Sequence, residues 1–327
     1  MEVAETLKDQ SKLAEVYNRK AQFYWKTESY TKVKAAADQG LAWARTAGDR
    51  EQEAEILIRL GLVYWQLGKY QQASAHAEQA LALTREIGER GEEASAMTIL
   101  GLVYVQLGGY PQALAYHEQA LTIKREIGNR WGEAWSLNHL GFVHRQLGNY
   151  PQALAYYEQA LRLARGTRDC WGEAVILKDR GVIYRELGKY QEALEAHEQA
   201  LGLSREIEVK SVEIEILFER TLDYLEQEAF IEALEHSSQV VELLESKGAQ
   251  PVSPRPQQIY FIHYKVLMAN GREAEAKEYL NRAYAEVTER VNGIDDEGLR
   301  NSFLENVKVN REIVATWEKL GQDELLR

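Results

Sequence analysis

A single cysteine, Cys170, occurs in 327 residues, so no internal disulfide can hold the chain and a stapled secreted scaffold is excluded. Cys170 has no histidine beside it to activate the thiol and reads as inert packing. Long apolar runs are missing too. No window approaches eighteen apolar residues, and the opening MEVAETLKDQSKLAEVY lacks the basic start and apolar core of a secretory leader. A cytoplasmic protein with no membrane partner is the expectation. Positive charge is in short supply, with 39 Lys and Arg against 51 Asp and Glu and a net charge of −12. Phosphate contacts need a locally dominant basic stripe, so duplex nucleic acid is not expected as a partner. Residues 171–250 hold 18 Asp and Glu against 8 Lys and Arg, which reads as a solvated acidic face, with a basic partner as the alternative.

Catalytic strings are absent as well: there is no Walker loop, GxGxxG, GxSxG or HExxH. His117-Glu118 and His197-Glu198 lack a second histidine four residues on, and sit in equivalent positions of a repeat, so packing accounts for both. His139 and His144 are five apart on one helix, about 500° of rotation, which points them to different faces. No thiolate or carboxylate pattern completes a zinc site around them. Neither catalysis, cofactor nor metal is expected of this chain.

What is present is repetition. GLVYVQLGGYPQALAYHEQAL from Gly101 is echoed from Gly61, Gly141 and Gly181, forty residues apart each time. Fixed self-similarity at that period marks an array of supersecondary units. The frame extends to six units between about Ala14 and Gly248, with Tyr24, Tyr64, Tyr104, His144, Tyr184 and Tyr224 in one column. In each unit a first helix carries apolar residues at helical spacing, as in Leu57, Leu60 and Tyr64, and ends at a Leu-Gly pair suited to a left-handed cap. Pro111 and Pro151 then open a second helix. That helix has small residues seven apart, such as Ala113 and Ala120, where backbones approach closely. Asp49, Asn129 and Asp169 stand where the next helix needs an N-cap. Each unit is a helical hairpin.

These residues resemble the tetratricopeptide repeat, whose pattern is matched by Leu100-Gly101, Tyr104, Ala113, His117 and Ala120 and by the other copies. The common form has 34 residues and a closing proline. Units of 40 with Arg85 or Arg125 near that place are similar to the longer subclass found in kinesin light chains, polarity adaptors and bacterial signalling proteins. The resemblance implies an all-α fold: a right-handed α-α superhelix of about seven hairpins closed by a C-terminal capping helix. The expected organisation is six units over 1–248, the first and sixth degenerate, a Pro-rich loop over 249–258, and a seventh hairpin plus capping helix over 259–327. The Pro-rich stretch reads as a loop, with a hinge as the alternative. Phe261 to Met268 and Ala276 to Val291 are the seventh pair, and a helix from about Leu299 to Leu320, bearing Phe303, Val307, Ile313 and Trp317, caps the array. The string LRNSFLENVKVNREI resembles the closing segment of repeat modules attached to bacterial regulators such as STAND-type ATPases.

Repeats carry their own control: recurring columns hold the stack, and varying ones are freed from that duty. Three varying rows share one stripe of the first helices. They are Asn18, Ile58, Thr98, Asn138, Lys178, Phe218; then Gln22, Leu62, Leu102, Phe142, Val182, Leu222; then Trp25, Trp65, Val105, Arg145, Arg185, Leu225. The family resemblance implies that this stripe lines the concave face. The candidate binding residues are Trp25, Trp65, Leu62, Leu102, Asn138, Phe142, Arg145, Lys178 and Arg185. Tryptophan anchors and cations in an apolar setting suit a protein or peptide segment with an acidic group beside apolar residues. The competing reading pairs Arg145 and Arg185 with neighbours such as Glu186. Other Trp and Tyr columns read as core. The functional expectation is an interaction scaffold or sensor module of a bacterial signalling system. The alternative is a small-ligand or peptide-pheromone receptor whose superhelix compacts on binding.

Overall fold

The computed structural model describes all residues except 1, 27–29, 67, 247–255, 293–296, 298–300, 302–303, 306–307 and 326–327. Its helices are α1 (Glu2–Lys26), α2 (Tyr30–Ala47), α3 (Arg50–Gln66), α4 (Tyr70–Ile87), α5 (Arg90–Gln106), α6 (Tyr110–Glu126), α7 (Arg130–Gln146), α8 (Tyr150–Thr167), α9 (Cys170–Glu186), α10 (Tyr190–Glu206), α11 (Lys210–Glu226), α12 (Phe230–Glu245), α13 (Pro256–Ala269), α14 (Glu273–Asn292) and α15 (Lys308–Leu325). No strand occurs among the described residues. By internal contacts the chain divides into two compact units, 1–183 and 184–327, the division falling inside α9. Of the Pro-rich stretch, 249–255 lie outside the described residues, and 256–258 already belong to α13.

In the first unit each helix from α1 to α8 packs on the next, and the first helices of successive hairpins also touch, α1 on α3, α3 on α5 and α5 on α7. In the second unit the series runs from α10 to α14, with α15 against α13 and α14. This is the packing of an all-α solenoid of helical hairpins. The cap is held by apolar burial around Phe261, Leu280 and Ile313. Trp317 stacks on Tyr284 at 4.0 Å between ring centroids, and its indole Nε1 donates to Asn281 Oδ1 at 2.8 Å. Phe303 and Val307 of the expected capping helix lie outside the described residues.

Local chemistry explains the repeat. Alanines 73, 80, 113, 120, 153 and 160 are fully buried, because only a methyl fits where the two helices of a hairpin meet. At Gly101 and Gly141 there is no room even for that: an added Cβ would lie 2.4 Å from His117 Cε1 and 2.5 Å from Tyr157 Cε1. Glycines 48, 68, 88, 108, 128, 148 and 188 close helices with φ between 69° and 79°. Arg168, Glu208 and Glu228 take the same left-handed conformation without the glycine, at φ near 56°. Asp49, Asn129 and Asp169 accept from the backbone N–H three residues on, at 3.0, 2.8 and 2.9 Å, as N-caps do.

The arginine that stands near the usual closing proline has a definite partner. Arg45, Arg85, Arg125 and Arg165 donate through Nε to Glu53, Glu93, Glu133 and Glu173 at 2.7–3.0 Å, and Arg205 does the same to Glu213 in the second unit. Each pair ties a second helix to the first helix that follows it. Burial alone would raise the carboxyls of Glu93 and Glu133, but hydrogen bonds from Arg85 and Arg90, and from Arg125 and Arg130, hold both below the usual carboxylate range.

Candidate functional site

The three varying rows cross α1, α3, α5, α7 and α9 of the first unit, whose first helices pack side by side through α7. Spacing of three and four residues keeps each row on one face of its helix. The recurring columns behind them, such as Leu60, Leu100 and Leu140, are fully buried, whereas Trp25, Leu62, Trp65, Leu102, Phe142 and Arg145 are half-buried. Trp25, Leu62 and Trp65 rest on one apolar cluster, and Trp65 Nε1 donates to Leu102 O at 3.3 Å. Arg145 lies with its guanidinium carbon 4.9 Å from the Phe142 ring centroid, a cation–π contact.

The polar row is unevenly satisfied. Asn18 Nδ2 donates to Gln52 Oε1 at 3.1 Å and Glu55 Oε2 at 2.7 Å, and its Oδ1 accepts from Arg59 Nε at 3.0 Å. Asn138, in the same row, is only 4% exposed. Its Nδ2 reaches Asp179 Oδ2 at 3.4 Å, but its Oδ1 is buried with no hydrogen-bond partner among the described residues, because Asp179 stands where Arg59 serves Asn18. A buried carbonyl oxygen of this kind costs free energy until a donor reaches it. Lys178 Nζ lies 3.4 Å from Asp179 Oδ1.

Arg185 belongs to the second unit and is engaged there. Its Nη2 meets Glu219 Oε2 at 2.6 Å, and its Nη1 meets Asp223 Oδ1 at 2.9 Å and Glu219 O at 3.1 Å. Asp223, placed where the preceding units have Val63, Val103, Val143 and Ile183, is fully buried and takes His197 Nδ1 on its other oxygen at 2.5 Å. Burial would lower Arg185, but Glu219 and Asp223 outweigh it and raise it. The pairing anticipated with Glu186 is thus made with α11 instead. The cation neutralises a buried carboxylate, which is a structural duty.

The histidines do not converge on a metal site. His117 and His197 are fully buried, His139 stacks on His117 at 5.0 Å, and His144 stacks on Tyr156 at 5.4 Å. Beside His117 and His139 the buried Lys124 Nζ donates to Thr98 and Ser136 hydroxyls at 3.0 Å each. Burial and then neighbouring positive charge push His117 well below its ordinary value and His139 down to about 3, and burial lowers Lys124 to about 8. Among the described residues no group of three His, Cys, Asp or Glu is placed to hold a metal, and no helix is long and apolar enough to cross a membrane.

One expectation requires correction. Trp131 and Trp171, read as core, are 52% and 41% exposed. They flank half-buried Trp135, with ring centroids 6.0 Å apart for Trp131–Trp135 and 4.6 Å for Trp135–Trp171. The signal for them was the spacing itself: Trp131 and Trp135 continue the stripe of Asn138, Phe142 and Arg145 toward the helix N-terminus in steps of four and three.

Fold and stripe together define a helical-repeat module that offers one varying face. A family model for the tetratricopeptide repeat matches residues 12–86, 76–126, 92–166 and 132–206, and the chain belongs to that family. Among solved structures it is similar to a Rap protein complexed with competence and sporulation factor, at TM-score 0.63 and 15% identity, over 95% of this chain and 75% of that one. The Rap conjugation gene regulator of plasmid pLS20, in complex with the Phr peptide, gives TM-score 0.65 at 16% identity over 84% and 74% of the two chains. A STAND protein with a tetratricopeptide repeat sensor from Pyrococcus horikoshii gives 0.58 at 18%, over 83% of this chain and 43% of that one, so this chain spans less than half of its length. At these identities the likeness is one of fold. Comparison with curated protein sequences finds no match.

Proposed function

We propose that the chain is a non-catalytic interaction module that binds an extended peptide, or an extended segment of a partner protein, along the varying stripe of its first unit, as part of a cytoplasmic bacterial signalling system. The observation that carries this is Asn138. A buried amide with an unmet acceptor, on a face whose rows are half-buried and vary from unit to unit, is matched by the backbone N–H of an extended chain. Phe142 on the same helix and Trp25, Leu62, Trp65 and Leu102 on the preceding first helices supply apolar contact. Two of the fold relatives named above were solved with a peptide or a factor bound, which agrees with an extended ligand.

In this reading an acidic group on the partner meets the edge of the Arg145 guanidinium that rests on Phe142, and Arg185, which neutralises the buried Asp223, takes no part. The test is selection of short random peptides on the immobilised full chain, followed by affinity measurement on Phe142→Ala and Asn138→Leu variants checked by circular dichroism. Peptides weakened about ten-fold or more by either variant support the assignment. Peptides indifferent to both, or no peptides at all, sink it. Small-angle scattering with and without a selected peptide decides between a rigid scaffold and a receptor that compacts.

A further inference from the structure

The varying stripe does not stop at Asn18 and Asn138. One turn further toward the helix N-termini lies the row Glu55, Ser95, Trp135, Val175, and a turn beyond that Glu51, Gly91, Trp131, Trp171. Along these rows the surface changes character twice. On α3 it is carboxylate, on α5 it is nearly bare, and on α7 and α9 it is indole. The bare part is literal: a Cβ added at Gly91 would meet only Ile127 Cδ1, at 3.9 Å, and the Ser95 hydroxyl is folded back onto Gly91 O at 3.1 Å.

Both walls of this shelf ask for an occupant of one charge. On the acidic side, burial and then Glu55, with smaller contributions from Glu89 and Glu51, raise the Glu92 carboxyl above the ordinary range, although Arg59 opposes them. Glu51, Glu55, Glu89 and Glu92 outnumber Arg59 on this side, so a further cation is accommodated there and a further anion is not. On the other side, Trp131 and Trp171 expose broad π faces, and Trp135 Nε1 is buried without an acceptor among the described residues. Exposed indoles in a cluster attract cations electrostatically, and arginine also stacks on them. An acidic side chain would be repelled by the carboxylates, and a purely apolar one would leave them crowded.

We propose that the Gly91–Ser95 shelf, between Glu92 and the rings of Trp131, Trp135 and Trp171, is the subsite for a lysine or arginine side chain of the segment bound along the stripe. This rests on the reading of the stripe as a peptide site and adds the chemistry that selects among peptides. The stem or guanidinium plane lies on the indoles, the charge turns toward Glu92 and Glu55, and Trp135 Nε1 donates to a ligand carbonyl.

The test uses the peptides selected on the full chain from the random library. Three variants are compared: Trp131→Ala/Trp171→Ala, both at exposed positions, Glu55→Gln/Glu92→Gln, and Phe142→Ala as the marker of the stripe. The expected result is a basic residue at one fixed position of the selected peptides. Its replacement by norleucine should weaken binding about ten-fold on the unaltered chain and hardly at all on Glu55→Gln/Glu92→Gln, while Trp131→Ala/Trp171→Ala loses a similar factor. Peptides that need Phe142 but carry no fixed basic position, or whose norleucine penalty is the same on the Gln variant, overturn the subsite and leave the stripe standing. Peptides that ignore Phe142, or an empty selection, overturn both.

Discussion

Replacing Gly101 by alanine should destabilise the first unit, and the same change at Gly61 should not. In a helix interior alanine is favoured over glycine by about 1 kcal/mol, so geometry decides the sign. At Gly61 the added Cβ meets Ala73 O and Ile99 side-chain atoms at 3.4 Å, ordinary contact, because Ala77 occupies the facing column. At Gly101 that column holds His117, fully buried, with ring atoms at 2.4, 2.6 and 2.7 Å from the new carbon. A ring without space to retreat places the overpacking cost near 3 kcal/mol, so Gly101→Ala is expected to lose about 2 kcal/mol while Gly61→Ala gains up to about 1.

The decisive comparison is made in a His117→Ala background. There the clash is gone, and Gly101→Ala should become stabilising by about 1 kcal/mol relative to His117→Ala alone. Urea unfolding followed by circular dichroism gives the overall midpoint. Native-state hydrogen exchange on α5, α6 and α7 amides locates the change, because units of a repeat array open with their neighbours rather than all at once. If Gly101→Ala has the same sign in both backgrounds, the ring on the glycine is not what fixes the residue.

His117 and His139 titrate at the ordinary 6.5 only in the unfolded chain, and their folded values are depressed, so their contribution is intact above that pH and lost as pH falls below it, for His139 down to about 3. Urea midpoints between pH 7 and 5 should therefore fall less in His117→Phe than in the unaltered chain. Lys124 drops from 10.5 to about 8 on folding, so it penalises the folded state fully below pH 8 and progressively less up to 10.5. Lys124→Met should abolish a rise in midpoint over that window. Arg168→Gly, Glu208→Gly and Glu228→Gly, at residues with φ of 55° to 57°, should each add about 1 kcal/mol by relieving a left-handed backbone, read by thermal unfolding. Arg185→Glu should cost about 3–5 kcal/mol by stranding the buried Asp223, as measured by urea unfolding, so a loss of ligand binding in that variant would report the fold and not a contact.

Most of the fold was legible because each unit repeats its instructions. Leu60 and Leu100, Ala73 and Ala113, Gly68 and Gly108 occupy equivalent places in successive hairpins, and agreement between copies separates structural need from accident. What one copy alone contains was harder to read. The helix α13 starts at Pro256, ahead of the apolar run from Phe261 that announces it, because proline is a breaker inside a helix and is tolerated at its first position. The Arg–Glu pairs recur faithfully, yet each joins two helices across a turn, where the period along a single element says nothing about which side chains meet.

The logic of variation picks the candidate stripe out of the sequence, and it is incomplete in two places for one reason. A varying residue is free of the repeat's common duty, but it can hold a private one. Arg185 neutralises Asp223, a buried carboxylate in a column otherwise apolar, Phe23, Val63, Val103, Val143 and Ile183. Trp131 and Trp171 escaped in the opposite direction: tryptophan at helical spacing is apolar enough to pass for core, and only their exposure shows otherwise. Variation therefore has to be weighed with the neighbour's demand. Arg185 meets a demand inside the protein, the Asn138 carbonyl oxygen has a demand that none of the described residues meets, and Trp131 and Trp171 serve no demand of the core, since both stand exposed beside half-buried Trp135.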